Sequence, residues 1–173
     1  MRLFLAIQLP ERTKRTLESA VQVWRRQGIR ASWSRRENYH LTLVFLGEME
    51  QPDKVISVMD QIQCEQFPLS FAPCGRFQSR RGDILWLGVQ LTPALETLQS
   101  SLCRMLSQTG ISLDLRPYRP HLTLARHLRH EDDLVFPGQL PSPFQVSSFS
   151  LMRSDLRPEG AHYTELYRKG LMA

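Results

Sequence analysis

The feature that most constrains the fold of this chain is an internal repeat. The tetrapeptide His-Leu-Thr-Leu occurs twice, at 40–43 and at 121–124, and the two copies lie 81 residues apart. A second pair of similar segments, at 7–10 and at 89–93, precedes the two copies at nearly the same offset. Two related series at one spacing predict two structurally similar halves.

Each half is predicted to form a strand, a helix and then a strand that begins with histidine. Short apolar runs that end at proline or glycine favour strands. Leucines at helical spacing, such as Leu95, Leu98, Leu102 and Leu106, favour helices that stop near a glycine. The predicted strands are 3–9, 40–46, 84–91, 121–125, 67–77, 144–152 and 162–168, and the predicted helices are 10–27, 93–108 and 55–63.

This order of elements predicts an α+β fold with two pseudo-symmetric lobes. No Gly/Ser-rich linker or low-complexity tract separates the halves. We therefore expect a single bilobal domain over 1–173, with a pseudo-twofold axis between its lobes.

Strand alternation separates the repeated tetrapeptide into two faces. One face of 39–45 is apolar, and the other presents His40 and Thr42. The second copy presents His121 and Thr123 in the same way. The residues expected on the apolar face of the first copy are Tyr39, Leu41, Leu43 and Phe45.

Two histidines on facing strands suit displacement at a phosphodiester. In-line attack needs a base beside the attacking oxygen and an acid beside the leaving oxygen, on opposite sides of phosphorus. Histidine serves both tasks because its unperturbed pKa is about 6.5. A single His-x-Thr triplet in a strand is usually structural, and a duplication that preserved only the fold would retain the apolar positions. A duplication of this kind does not explain why both histidines and both threonines are retained.

The same reasoning predicts His40 and His121 as the catalytic pair. Thr42 and Thr123 are predicted to donate to the non-bridging phosphate oxygens. Arg126 lies just past the second strand, where it either braces the phosphate or is an ordinary surface arginine.

No metal or cofactor site is predicted. His127 and His130 lie near His121, but no carboxylate or cysteine is placed to complete a metal cluster, so both are interpreted as surface residues. His162 is likewise expected to be structural or on the surface. The cysteines are odd in number and lack CxxC spacing, which predicts reduced thiols. They are Cys64, Cys74 and Cys103.

Composition points to a polyanionic partner without establishing one. The net charge is +5, and 19 of the 22 basic residues are arginine, whose planar fork fits phosphate oxygens. A merely solvated basic surface explains the same composition. There is no apolar run of membrane-spanning length and no signal-peptide pattern, so we expect a cytoplasmic protein that does not contact membranes.

The two motifs resemble the signatures of the two-histidine (2H) phosphoesterase superfamily. Within it, 38–48 and 120–126 are similar to the motifs of the bacterial RNA 2′,3′-cyclic phosphodiesterases, also called 2′-5′ RNA ligases. The resemblance covers essentially the whole chain. It implies a bilobal fold with antiparallel sheets lining a central cleft, and the second signature includes Arg126 as a phosphate ligand.

The resemblance also implies an activity, which is cofactor-free hydrolysis of RNA 2′,3′-cyclic phosphates to 2′-phosphates with a weak reverse 2′-5′ ligation. It makes His40 the proton donor and His121 the proton acceptor, although the two motifs are interchangeable by sequence. The implied partner is RNA with cyclic phosphate ends, including tRNA fragments, and the expected state is a monomer. Two alternatives remain, namely a related enzyme acting on small cyclic nucleotides or sugar cyclic phosphates, and a non-catalytic RNA-binding module.

Overall fold

The computed structural model describes the whole chain, Met1–Ala173, and contains three α-helices and ten β-strands. The elements of the first half are β1 (Arg2–Gln8), α1 (Glu11–Arg26), β2 (Ser32–Trp33), β3 (His40–Glu48), α2 (Asp53–Gln61), β4 (Phe67–Leu69) and β5 (Phe71–Phe77). Those of the second half are β6 (Asp83–Val89), α3 (Pro93–Gln108), β7 (His121–Leu128), β8 (Phe144–Val146), β9 (Ser148–Arg157) and β10 (Gly160–Gly170).

Two four-stranded antiparallel sheets carry the histidine strands. The first has the order β10-β9-β1-β3, and the second has the order β2-β7-β6-β5. The pairing of β1 with β3 therefore corresponds to the pairing of β6 with β7, as the repeat predicts. The predicted α+β fold with antiparallel sheets is confirmed.

The helices begin and end close to the predicted positions because their apolar faces are continuous. The helix α1 buries Leu17, Val21 and Trp24. The helix α3 follows Thr92, whose side chain accepts a hydrogen bond from the Leu95 amide, and it begins at Pro93, where a missing N–H costs nothing. None of the helices is both long and apolar enough to cross a membrane.

Two predicted strands are wrong as continuous elements. The segments 67–77 and 144–152 are each broken in the middle, at Ser70 and at Ser147. The pieces β4 and β8 pair with each other in a separate two-stranded sheet, whereas β5 and β9 join different four-stranded sheets. An unbroken apolar run does not encode a change of pairing partner, so the sequence pattern missed both breaks.

Both histidine strands contain a β-bulge at the same place. In β3, Leu43 is the residue that falls between the paired positions Thr42 and Val44. In β7, Leu124 falls in the same way between Thr123 and Ala125. A bulge inserts one residue and reverses the alternation of side chains beyond it.

The bulge in β3 corrects the predicted position of Phe45. Strict alternation puts this ring in the core, but Phe45 is 70% exposed, and Val44 is buried in its place. The Phe45 ring instead lies beside Phe4, with 6.4 Å between the ring centroids. The face that carries His40 therefore continues past the bulge as Phe45.

One hydrophobic cluster of 38 residues draws on both halves, and hydrogen bonds join the two halves at the bulges. The Tyr118 hydroxyl donates to the Thr42 carbonyl at 2.8 Å, and the Gln99 amide donates to the Leu43 carbonyl at 3.3 Å. In the reverse direction, the Ser34 hydroxyl donates to the Thr123 carbonyl at 3.2 Å, and its backbone N–H donates to the Leu124 carbonyl at 2.9 Å. Each histidine strand is thus held by residues of the other half.

We predict that Tyr118→Phe lowers the free energy of unfolding by about 1–3 kcal/mol, because it leaves the Thr42 carbonyl without its donor. Urea denaturation measures the loss. The matched control is Tyr167→Phe, which removes a hydroxyl that donates to Asp60 at an exposed position. Equal losses in the two variants would contradict a special role for the bond between the halves.

Candidate active site

His40 and His121 begin β3 and β7, and the backbone orients both rings identically. The Nδ1 atom of His40 is 2.7 Å from the carbonyl oxygen of Asn38, and that of His121 is 2.6 Å from the carbonyl oxygen of Arg119. A carbonyl oxygen only accepts, so each Nδ1 carries the hydrogen. In the neutral ring, Nε2 is then the atom that can take a proton, and in the imidazolium it is the atom that can give one.

Aromatic rings pack against both imidazoles. His40 lies 5.0 Å from Phe4 and 5.2 Å from Tyr163, measured between ring centroids. His121 lies 5.0 Å from Phe77 and 6.1 Å from Trp86. These rings restrict rotation of the histidine side chains and exclude water from one side of each.

Sequence reasoning missed these aromatic residues, although one signal was present. Phe4 and Trp86 occupy equivalent positions of the repeat, on the strands that pair with the two histidine strands. Gly75 makes room for the ring of Trp86, because a Cβ atom at residue 75 would lie 2.3 Å from that ring. Tyr163 comes from β10, far along the chain, and nothing in the motifs points to it.

The hydroxyl groups of the two motifs differ in their contacts. The Thr42 Oγ1 atom lies 2.9 Å from His40 Nε2, so the hydroxyl donates to the ring when the ring is neutral. Thr123 lies beside His121 on the same face of β7, but the Nε2 atom of His121 has no hydrogen-bond partner within the chain. The pseudo-symmetric site is therefore asymmetric at the two nitrogen atoms.

The pKa of His40 is lowered from its ordinary value of 6.5. Burial is the largest cause because it disfavours the charged ring, and the hydrogen bond to Asn38 opposes it. The charges of His121, Arg126 and Lys14 lower the pKa further. The charges that act on His40 thus come from His121 and Arg126, both predicted site residues, and from Lys14 at the start of α1.

Arg126 reaches this site because of the bulge in β7. Strict alternation would put Arg126 on the face opposite His121. The bulge buries both Leu124 and Ala125 in succession, which returns Arg126 to the histidine face, where it is exposed. It has no carboxylate partner among the ion pairs of the chain. The equivalent position of the first half is Phe45, so only the second half has a cation at this position of the repeat.

The remaining histidines lie away from this constellation. His127 is exposed, and its Nδ1 atom contacts the Ser32 hydroxyl at 3.0 Å. The backbone carbonyl of His130 accepts from Arg76 at 2.6 Å, and His162 is exposed. The chain contains no group of three or more His, Cys, Asp or Glu side chains arranged to hold a metal ion. All three cysteines are free thiols.

Comparison with known sequences identifies a family. Residues 13–158 match the model of the 2′-5′ RNA ligase superfamily. An RNA 2′,3′-cyclic phosphodiesterase of Thermotoga maritima is 30% identical over 96% of this chain and 94% of the relative. An Escherichia coli protein of the same name is 30% identical over 98% of this chain and 96% of that relative.

Solved structures give the same result. The crystal structure of E. coli LigT in its apo form superposes with a TM-score of 0.83 at 28% identity, covering 99% of this chain and 98% of LigT. A protein from Thermus thermophilus superposes with a TM-score of 0.81 at 26% identity, covering 98% and 97%. The similarity therefore includes both sheets and both histidine strands.

We predict that His40 titrates below pH 6.5 in the free protein, and that Arg126→Gln raises its pKa by removing a nearby cation. NMR titration of the ring resonances measures both values. Arg129→Gln is the matched control, since Arg129 lies at the end of β7 and is not among the groups that lower this pKa. Titration of His40 above 6.5, or equal shifts in the two variants, would contradict this electrostatic description.

Proposed function

The chain belongs to the 2′-5′ RNA ligase superfamily, and from this membership we infer that it hydrolyses 2′,3′-cyclic phosphodiester ends of RNA. Among this chain's own residues, the inference is supported by the two histidine rings, which are oriented in the same way. Both histidines are fixed through Nδ1 by a backbone carbonyl, which leaves both Nε2 atoms for proton transfer. Substrate specificity and the division of roles are our proposals.

We propose that water attacks phosphorus in line with the 3′-oxygen of the ribose. The bond from the water oxygen to phosphorus forms while the bond from phosphorus to the 3′-oxygen breaks. His121 Nε2 takes the proton of the water, and the proton of His40 Nε2 goes to the 3′-oxygen. The product is a 2′-phosphate with a free 3′-hydroxyl, and His40 and His121 exchange protonation states during the step.

Two observations support this assignment of roles. The Nε2 atom of His121 has no partner within the chain and is free to accept a proton. The lowered pKa of His40 makes its imidazolium a stronger acid, which suits protonation of a leaving alkoxide. Binding of the phosphodiester anion favours the protonated ring, because the anion opposes both the burial that chiefly lowers this pKa and the charges of Arg126 and Lys14.

Three groups are proposed to hold the phosphate. Arg126 supplies the positive charge on the histidine face, and its guanidinium donates to the non-bridging oxygens. The Thr42 and Thr123 hydroxyls donate to the same oxygens from the two strands. Placing these donors where charge develops lowers the barrier without a further proton transfer.

We propose RNA as the physiological substrate class, with tRNA fragments among its sources. The excess of arginine favours RNA over a small cyclic nucleotide, and comparing kcat/KM for an oligonucleotide and a mononucleotide distinguishes these alternatives. A non-catalytic RNA-binding module does not account for two equivalently oriented histidines. With a 5′-hydroxyl in place of water, the same in-line step breaks the bond from phosphorus to the 3′-oxygen and forms a 2′-5′ linkage without a nucleotide cofactor. The cytoplasm is the proposed location and a monomer the proposed state.

Alanine at either histidine should lower kcat by roughly 10²–10⁴, the usual loss when a general acid or base is removed. The double variant should be little worse than either single variant, because the pair acts as a unit. His162→Ala is the control, since His162 is exposed and outside the site. Near-normal kcat in His40→Ala or His121→Ala would show that the pair does not share the chemistry.

Hydrolysis should persist in EDTA, because two imidazoles supply both proton transfers and Arg126 supplies the positive charge. The measurement is the initial rate on an RNA with a 2′,3′-cyclic phosphate end, before and after dialysis against chelator. A rate that falls on chelation and returns with zinc or manganese would overturn the metal-independent mechanism.

Product analysis tests the orientation of the substrate. Phosphorus NMR, or comparison with authentic standards, should identify a 2′-phosphate. In-line geometry links this outcome to the roles of the histidines, since the acid must lie next to the oxygen that leaves. A 3′-phosphate would mean that the substrate binds the other way round, and the assignment of His40 as donor would be wrong.

A further inference from the structure

A polar cluster beside His40 takes no part in the proposed reaction. The Glu165 Oε2 atom accepts from the Gln8 amide at 2.5 Å, from the Ser150 hydroxyl at 2.7 Å and from Arg168 Nε at 3.1 Å. Ser150 is buried, with 1% of its surface exposed, so its hydroxyl holds the carboxylate from the buried side of the cluster. We call Gln8, Ser150, Glu165 and Arg168 the Glu165 cluster.

The Glu165 cluster lies on the same face of the first sheet as His40. Gln8 is the cross-strand partner of His40. Tyr163, whose ring packs on His40, precedes Glu165 by two residues in β10, and the pairing of β10 becomes irregular only beyond Glu165. Tyr163 and Glu165 therefore share a face, and Glu165 lies about 7 Å farther along the strand.

The proposed mechanism places the nucleoside on this side of phosphorus. His40 protonates the 3′-oxygen, so the ribose and its base lie toward the sheet that carries His40, whereas water enters from the side of His121. The base then extends from the site across Tyr163 toward the Glu165 cluster. This step rests on the proposed function.

The cluster presents two unoccupied acceptors. A carboxylate oxygen only accepts, so the Gln8 nitrogen must point at Glu165 and its Oε1 must point away. Neither Gln8 Oε1 nor Glu165 Oε1 has a hydrogen-bond partner within the chain. Arg168 balances the charge of the carboxylate and remains half-exposed. The cluster therefore offers two acceptors to a ligand, one on Gln8 and one on Glu165.

We propose that the Glu165 cluster is a base subsite that selects guanine at the 3′ end of the RNA. Guanine carries two adjacent donors on its Watson–Crick edge, N1–H and the N2 amino group, and these match Glu165 Oε1 and Gln8 Oε1. Adenine and cytosine present one amino group beside an acceptor nitrogen, and uracil presents one N–H between two carbonyl oxygens. Each of these three bases would place one of its own acceptor atoms against Glu165 Oε1 or Gln8 Oε1, and the two would repel.

The test measures kcat/KM for four RNA oligonucleotides that differ only in the base carrying the 2′,3′-cyclic phosphate. The wild-type protein should prefer guanosine over uridine by about ten- to hundredfold, the scale of one well-placed pair of base contacts. Glu165→Gln should reduce this ratio toward one, because its single amide oxygen is needed to accept from Gln8 and Ser150, which puts an N–H donor where Glu165 Oε1 was. Glu159→Gln is the matched control in the turn before β10, and it should retain the wild-type ratio.

The outcomes separate this inference from the function on which it rests. Equal rates on all four ends would overturn the guanine subsite and leave the phosphodiesterase intact. No hydrolysis of any end would overturn the function itself. A Glu165→Gln variant that loses activity equally on guanosine and uridine ends would also overturn the subsite, since Glu165 would then support the fold or the chemistry and not base choice.

Discussion

Each histidine strand departs from regular pairing one residue after its threonine, and this departure sets the direction of the side chains that directly follow it. In β7 it turns Arg126 toward the face of His121, and in β3 it turns Phe45 outward. A bulge leaves carbonyl groups without their usual strand partners, which is costly in a buried place. Donors from the opposite half satisfy them, so the site and the contact between the halves depend on the same irregularity.

The backbone contacts of the two histidines are symmetric, but the side chains around them are not. Both rings are fixed through Nδ1 by a backbone carbonyl two residues earlier, which any duplicated strand of this shape provides. The differences lie in side chains, since Thr42 occupies the Nε2 atom of His40 and nothing within the chain occupies that of His121. Arginine stands in one half where the other has phenylalanine. These differences give the two equivalently oriented histidines different surroundings, as the proposed division of roles requires.

Much of this could be predicted from the sequence, because helical and strand periodicity together with the repeat determine the main elements. The motifs also predicted that each histidine begins a strand of its own sheet, and the structure shows this for His40 and His121. The outward position of Phe45 and the breaks at Ser70 and Ser147 did not, because a bulge or a change of sheet is decided by pairing partners that lie far along the chain. For the same reason no local pattern indicates Tyr163, which a distant strand brings to His40.

The hydrogen bonds between the halves also have a mechanical consequence. A two-lobed enzyme can close on its substrate by bending about the line where the lobes meet. Here Tyr118, Gln99 and Ser34 bridge that line at the histidine strands themselves. Hinge motion would break these bonds, so they oppose any change in the distance between the two histidine strands. The relative position of the two rings is therefore built into the fold.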